Sequence, residues 1–150
     1  MKKLLLSQLF ILGLMMFLHT DVFACSCETR SEPLAEKVRK AKAESDAIFT
    51  GSVLSITENT TDEYISVELK VIEVWKGEIA QKVTVLSGLH DGNCRYPFKV
   101  GKLYLVYAHH STMYSRVKSL STGICTRTSV LSEAESDVRV LGKTRKPRKS

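Results

Sequence analysis

The residues with the clearest potential for chemistry are Cys25, Ser26 and Cys27, because they directly follow a segment typical of a secretory leader. Residues 1–24 begin with two lysines, continue through a long apolar run and end in a small residue, which predicts a cleaved signal peptide. Cleavage after residue 24 would leave Cys25 as the first residue, with a free α-amino group. The expected location is therefore secreted or periplasmic.

The cysteines of the chain predict a disulfide framework, because an exported protein meets an oxidising environment. Four cysteines allow three pairings, and those present are Cys25, Cys27, Cys94 and Cys125. A bridge between Cys25 and Cys27 is disfavoured, since the Cα atoms in an extended segment would lie near the upper limit of disulfide geometry. We therefore expect one of these two to pair with Cys94 and the other with Cys125, and the spacing leaves open which. Each link would contribute up to ~4 kcal/mol.

Side chains alternate in an extended segment, which places Cys25 and Cys27 on one face and Ser26 on the other. Two bridges on the first face would hold the terminus flat and leave the Cys25 amine and carbonyl in solvent. An amine and its own carbonyl oxygen can form a five-membered chelate around a divalent metal. In a catalytic zinc site, such a chelate would displace the reactive water. The neutral amine that this requires is accessible near neutral pH, since its ordinary pKa is about 7.7 to 8.0.

The same segment has two alternative interpretations. The Cys-x-Cys pair can be a structural staple with no further role, as in many secreted domains. Alternatively, a cysteine directly after a cleavage site can be lipid-modified, as in bacterial lipoproteins. Phe23 opposes lipidation because such sites usually carry a small residue there, and a lipid on Cys25 would leave an odd number of cysteines.

The formal charge of +6 is concentrated at the two ends of the chain. Residues 143–150 contribute +5 and the leader +1, so residues 25–142 carry no net charge. A basic tail is poor evidence for nucleic-acid binding by a domain, and no nucleic-acid partner is expected. We expect one domain over residues 25–142 and a disordered tail over residues 143–150. No membrane contact is expected unless Cys25 is lipidated, because no later segment resembles a membrane helix.

Capping and periodicity predict two short helices. The first is expected over residues 31–44, with Ser31 as its N-cap. The second is expected over residues 132–141, where Ser132 and Glu135 have the spacing of a capping box.

Alternating apolar residues predict five strands, and the clearest alternation occurs within residues 64–75. Gly51 in the first strand predicts a bulge. The five strands are expected over residues 47–56, 64–75, 82–86, 102–108 and 116–122. Five short strands with helices at the ends indicate a mainly β fold, a closed five-stranded barrel of the oligonucleotide/oligosaccharide-binding type. A β-sandwich is the alternative, although it usually needs about seven strands.

Several segments of the chain resemble the netrin-like module. They are the Cys-Ser-Cys stretch, residues 46–53 (DAIFTGSV), residues 74–77 (VWKG), an isolated Cys94, residues 101–106 (GKLYLV) and the late pair Ile124-Cys125. Within that class, the chain is most similar to the inhibitory domain of the tissue inhibitors of metalloproteinases. The resemblance covers nearly all of residues 25–142.

This resemblance implies a five-stranded barrel in which Cys25 pairs with Cys94 and Cys27 with Cys125. It further implies a zinc metalloprotease as the partner, whose zinc ion binds the amine and carbonyl of Cys25. Ser26 would enter the pocket for a substrate side chain, and the protein would be a monomeric inhibitor, not an enzyme, with no cofactor of its own. The inhibitory edge expected on this basis consists of Cys25, Ser26, Cys27, Glu28, Asn93, Cys94 and Arg95.

Other netrin-like modules are plain protein-binding units, so a non-inhibitory binding or envelope module, including one anchored by a lipid at Cys25, is the alternative. The position of Cys25 directly after the predicted cleavage site favours the inhibitor. Arg95 departs from the family pattern, because the inhibitors tend to carry glycine at that place.

The sequence gives no support for a hydrolase, because it contains neither a Gly-x-Ser-x-Gly nor a His-Glu-x-x-His motif. His109 and His110 are neighbours in a predicted strand and would point to opposite faces, so one metal ion would rarely bind both. Tyr104 and Tyr107 are expected in the core of the sheet rather than as stacking platforms for bases.

Overall fold

A computed structural model describes Cys25, Cys27 and residues 31–149. Within these residues the protein is mainly β, with six strands and two α-helices. The elements are helix α1 (Leu34–Glu44), strands β1 (Ala47–Asn59), β2 (Tyr64–Lys76), β3 (Lys82–Gly88), β4 (Leu103–Ser111), β5 (Ser119–Ser121) and β6 (Ser129–Val130), and helix α2 (Glu135–Leu141). Neither helix has the length and apolarity that a membrane crossing requires.

Five strands form a ring in the order β1-β2-β3-β5-β4, and β4 pairs with β1 to complete it. All neighbours are antiparallel except β3 and β5, which meet in parallel at Leu86 and Ser121. The prediction of five strands omits β6, which pairs with Tyr104 and Leu105 of β4. A strand of two residues is too short to show an alternating pattern.

Bulges bend the β1–β2 ribbon, as a ring requires. Gly51 pairs with Val71 while its predecessor pairs with Glu73, so Ile72 is an extra residue on β2. The bulge expected at Gly51 is therefore present, with the inserted residue on the partner strand. Glycine permits the close approach of the two strands, because a Cβ at this position would lie 3.2 Å from the carbonyl oxygen of Lys70.

The main hydrophobic core fills the interior of the ring. The predicted alternation along β2 is confirmed, because the side chains that point inward, from Ile65 to Val71, are at most 5% exposed. Burial of each large apolar side chain is worth about 1.5–3 kcal/mol. The ring interior contains Phe49, Val53, Ile65, Val67, Leu69, Val71, Val85, Tyr104 and Val106.

Strands β1 and β4 are also covered on their outer faces. Ile48 and Tyr107 pack there against Val38 of α1 and Leu141 of α2. Burial on both faces explains why β4 reads as a continuous apolar run rather than as an alternation. Tyr104 and Tyr107 are 2% and 1% exposed, which confirms them as core residues.

Both helices begin without the predicted side-chain caps. Helix α1 starts after Pro33, whose carbonyl accepts the first backbone hydrogen bonds, and Ser31 does not cap it. Ser132 lies inside a 3-10 turn, Leu131–Glu133, and α2 starts after Ala134. The predicted capping box is therefore wrong, because this turn already leads the chain into the helix through backbone hydrogen bonds.

The basic tail also departs from the expected disorder. Strand β3 pairs with β2 only as far as Lys70, which leaves the later part of β2 with a free side. Arg145 occupies that side and exchanges two backbone hydrogen bonds of 2.9 Å with Val74, and the Arg148 amide donates to the Ile79 carbonyl. Composition predicted disorder because the tail has few apolar side chains to bury, but pairing with a sheet edge uses the backbone alone.

Candidate functional site

Two disulfides hold Cys25 and Cys27 against two loops of the ring. Cys25 is bonded to Cys94, which follows β3, and Cys27 to Cys125, which follows β5, with Cα–Cα distances of 5.3 and 5.1 Å. The Cys25 sulfur lies 3.8 Å from the Cys125 sulfur, so the two bridges are side by side. This is the pairing that the family resemblance implies and that the spacing leaves open. Disulfides of this kind indicate an extracellular or otherwise oxidising compartment.

The bridges fix the chain at two points separated by one residue. They span 69 and 98 residues, and loops of this length correspond to about 4–5 kcal/mol each in the chain-entropy model. Cys25 is half-buried and Cys27 is exposed. Ser26 and Glu28 lie outside the described residues, so their predicted positions at the inhibitory edge stay predictions.

The loop that carries Cys94 is built on a 3-10 turn, Asp91–Asn93, and is stiffened by the Asn93 side chain. Its Oδ1 accepts a hydrogen bond of 2.8 Å from the His90 amide, and its Nδ2 donates one of 2.6 Å to the Glu63 carbonyl. Cys94 follows in the left-handed region with φ 66°, which costs free energy for a residue with a Cβ. The surrounding contacts must therefore hold this conformation in place.

Gly88 allows this loop to fold back on β3. A Cβ at Gly88 would overlap both the backbone and the side chain of Asn93. The Leu89 amide then donates to the same Glu63 carbonyl that Asn93 contacts, at 3.0 Å. The Glu63 carbonyl, in the turn between β1 and β2, therefore accepts two hydrogen bonds from this loop.

Arg95 contacts the protein's own loop rather than extending freely into solvent. Its Nη1 donates to the Leu89 carbonyl at 2.9 Å, and its Nη2 lies 4.0 Å from the Glu58 carboxylate. The guanidinium therefore joins Leu89, at the start of the loop, to Glu58 of β1. The side chain remains about one third exposed, so part of it can still contact a partner.

Two further segments support Cys94. The Tyr114 hydroxyl donates to the Asn93 carbonyl at 3.0 Å, and the Ile124 amide donates to the Cys94 carbonyl at 3.2 Å. Burial raises the pKa of Tyr114, so its hydroxyl stays protonated and available as a donor. Tyr114 belongs to no motif of the sequence, and its one signal is an isolated aromatic residue in a polar loop.

Exposed apolar side chains accompany these supporting segments. Met113 and Val117 lie on either side of Tyr114 in the β4–β5 loop and are 64% and 71% exposed, and Ile124 is 43% exposed next to Cys125. Large apolar side chains at such exposure are available for contact with another protein.

A buried polar network lies close to Cys125 in the chain, around Arg127 and Asp137. The sequence motifs did not predict it. Arg127 makes two hydrogen bonds of 2.8 and 2.6 Å to the Asp137 carboxylate, which also accepts the Tyr107 hydroxyl at 2.9 Å. Burial and the Asp137 charge raise the pKa of Tyr107, and the hydrogen bonds to Asp137 raise that of Arg127. Helical spacing could have indicated this burial, because Asp137 lies on the same face of α2 as the buried residues Ala134 and Leu141.

Threonines complete this network. Thr122 and Thr128 are buried, lie 2.7 Å apart through their hydroxyls and contact the backbone of Tyr107. Thr126 joins them through its own hydroxyl at 2.9 Å from Thr122. The segment that contains Cys125 is therefore fixed on both sides of the disulfide.

The His109-His110 pair has a structural partner. The His110 amide donates to the Asp46 carboxylate at 2.6 Å, and its Nδ1 lies 3.4 Å from the same oxygen. The amide hydrogen bond is the main cause that lowers the pKa of Asp46. Over the part of the chain that the structure describes, no three His, Cys, Asp or Glu side chains come together as metal ligands.

Comparison with known proteins leaves the family open, since neither a protein-family model nor a curated protein matches the chain.

Proposed function

We propose that the protein is an exported inhibitor of zinc metalloproteases with a closed, five-stranded barrel of the netrin-like type, acting through its own N-terminus. The observation that carries this proposal is the pair of adjacent disulfides, which fixes Cys25 and Cys27 on the ring. The ring order β1-β2-β3-β5-β4 is compatible with the proposed barrel. Hydrogen bonds from Asn93, Arg95 and Tyr114 hold the Cys94 loop in one conformation, which lowers the conformational entropy lost when a partner binds.

The proposed mechanism uses the α-amine and carbonyl of Cys25 as a chelate for the zinc ion of the target. The chelate takes the place of the water that the enzyme would activate, and so blocks the reaction. Only the neutral amine has a lone pair for the metal. Inhibition should therefore weaken as the pH falls below the ordinary pKa of an α-amine, about 7.7 to 8.0, because protonation competes with zinc.

The Cys25–Cys94 bond favours this proposal over a lipid anchor at the same residue. A lipoprotein carries its diacylglyceryl group on the cysteine sulfur, and one sulfur cannot hold both a thioether and a disulfide. The non-inhibitory module remains the competing function, and the experiment below distinguishes the two.

The test begins with the natural processed protein. Intact mass and N-terminal sequencing should show a chain that starts at Cys25 and lacks two pairs of hydrogen atoms relative to the reduced form. A panel of zinc metalloproteases is then assayed with this material, and inhibition of at least one member is expected. An added diacylglyceryl mass, a different first residue or no inhibition across the panel would contradict the proposal.

Ser26 provides a second test, through the substrate pocket that it is proposed to enter. The Ser26→Glu variant should bind its target at least about tenfold more weakly, or ~1.4 kcal/mol, because a buried carboxylate without a partner is unfavourable. The inhibition constant and the urea midpoint are measured together, and only the first should change. Ser31→Glu introduces the same charge at an exposed position before α1 and serves as the control. Equal effects of the two substitutions would show that Ser26 does not enter the pocket.

A further inference from the structure

The tail is a surface feature that the proposed inhibitor does not use. Residues 143–149 contain five cationic side chains on a chain whose domain, residues 25–142, has no net charge. All five are exposed, although the backbone of the segment is hydrogen-bonded to the domain at two of them, Arg145 and Arg148. The positive charge is therefore held at one place on the surface instead of being spread over a mobile segment.

Most of these cations are uncompensated. Arg145 forms an ion pair of 3.2 Å with Glu78, which accounts for one of them. Within the described part of the chain, the other four make no ion pair, and they are Lys143, Lys146, Arg148 and Lys149. Their charges are thus free for an external anion.

The backbone contacts lower the cost of binding. A free tail would lose conformational entropy when its cations line up on a ligand. Here the pairing of Arg145 with Val74, and the hydrogen bond from Arg148 to Ile79, already hold the backbone. Seven residues in a fully extended conformation would span about 20 Å, at ~3.3 Å per residue, and a linear ligand can follow such a segment.

The composition of the tail discriminates between classes of anion. Segments that insert into a bilayer combine cations with large apolar side chains, and residues 143–150 contain none, so a membrane could attract them only through its surface charge. Proteins that bind single-stranded nucleic acids add aromatic side chains for stacking, which are also missing from these residues. The tail can therefore recognise a ligand mainly through negative charges that are repeated along an extended chain.

We propose that residues 143–149 form a binding site for a linear acidic polysaccharide. Lys143, Lys146, Arg148 and Lys149 contact its sulfate or carboxylate groups, and the backbone contacts of Arg145 with Val74 and of Arg148 with Ile79 hold the segment in position. Binding is electrostatic, so it weakens as salt is added and counterions compete. The site is independent of the metal-binding terminus and persists whether or not the protein inhibits a protease.

The test uses full-length processed protein and short dextran sulfate chains, with titration by fluorescence anisotropy at several salt concentrations. The Lys146→Gln/Arg148→Gln/Lys149→Gln variant should lose at least about tenfold in affinity, and its salt dependence should fall by two to three units of logarithmic slope. The control, Lys70→Gln/Lys99→Gln/Lys102→Gln, removes three exposed cations elsewhere and should stay within about twofold of the native protein.

Three results would overturn this assignment. The first is an equal loss of affinity in both triple variants, which would indicate attraction by total charge alone. The second is binding to vesicles of phosphatidylglycerol and phosphatidylcholine that is as tight as binding to dextran sulfate. The third is equally tight binding by a free peptide of residues 143–150, because the ordered backbone would then contribute nothing.

Discussion

Adding a single alanine before Cys25 is expected to abolish inhibition of the target metalloprotease, with a loss of affinity greater than about 100-fold. Changes to residues that only support a metal ligand already cost about 10–100-fold, and here the ligand itself would be removed. The extension converts the amine into an amide, which has no lone pair for zinc, and moves the chain end forward. Acetylation of the native amine should have the same effect. The inhibition constant against the most sensitive protease of the panel is the measurement.

The control for this experiment is one alanine added after Ser150, which changes the length but not the leading amine. Both extended proteins should form the same two disulfides and unfold at the same urea concentration, so a difference in inhibition belongs to the terminus. Equal inhibition by the native and the N-terminally extended proteins would falsify the chelation mechanism while leaving the fold unaffected.

Replacing Asp137 with alanine should lower the free energy of unfolding by about 3 kcal/mol. Its carboxylate is 5% exposed and accepts hydrogen bonds from Arg127 and Tyr107, so its removal leaves a guanidinium and a hydroxyl without a partner. Breaking a buried ion pair from one side costs about 3–5 kcal/mol. We expect the lower end, because Arg127 is 30% exposed and water can partly solvate it. Urea unfolding measures the change.

Two variants isolate the cause. Glu135→Ala removes an exposed carboxylate from the same helix and should change stability by less than about 0.5 kcal/mol. Arg127→Met/Asp137→Leu replaces the pair by apolar side chains and should recover much of the loss, since the unpartnered charge is gone. An Asp137→Ala variant as stable as Glu135→Ala would mean that the pair contributes little to the fold.

The predictions for strands succeeded where local pattern and tertiary environment agree. Strand β2 alternates because one of its faces lines the core, and that period is visible in the sequence itself. Strand β5 was expected over residues 116–122 and covers only Ser119–Ser121. Its neighbours in the ring, β3 and β4, are distant in sequence, so its limits depend on where they end.

The helix starts and the tail were predicted less well for a related physical reason. A capping pattern such as that of Ser132 and Glu135 describes an isolated helix, whereas a preceding 3-10 turn supplies its own backbone hydrogen bonds. The prediction of disorder for the tail used only its side chains. The tail backbone, however, forms hydrogen bonds with the free side of β2 at Val74. Neither effect has a local signature in the residues concerned.

At the proposed edge, residue types and spacing were enough to select the candidate residues and to predict that Cys25 and Cys27 are bonded to distant cysteines. Side-chain chemistry, the apolar composition of residues 1–24 and the short Cys-x-Cys spacing are local properties, so they can be read without the fold. The fold was needed to show that the two bridges lie side by side, that Asn93, Arg95 and Tyr114 hold the Cys94 loop, and that Asp137 is buried against Arg127. Most of these contacts join residues far apart in the chain, such as Cys25 with Cys125 and Asn93 with Glu63, and they form because the ring brings its loops together.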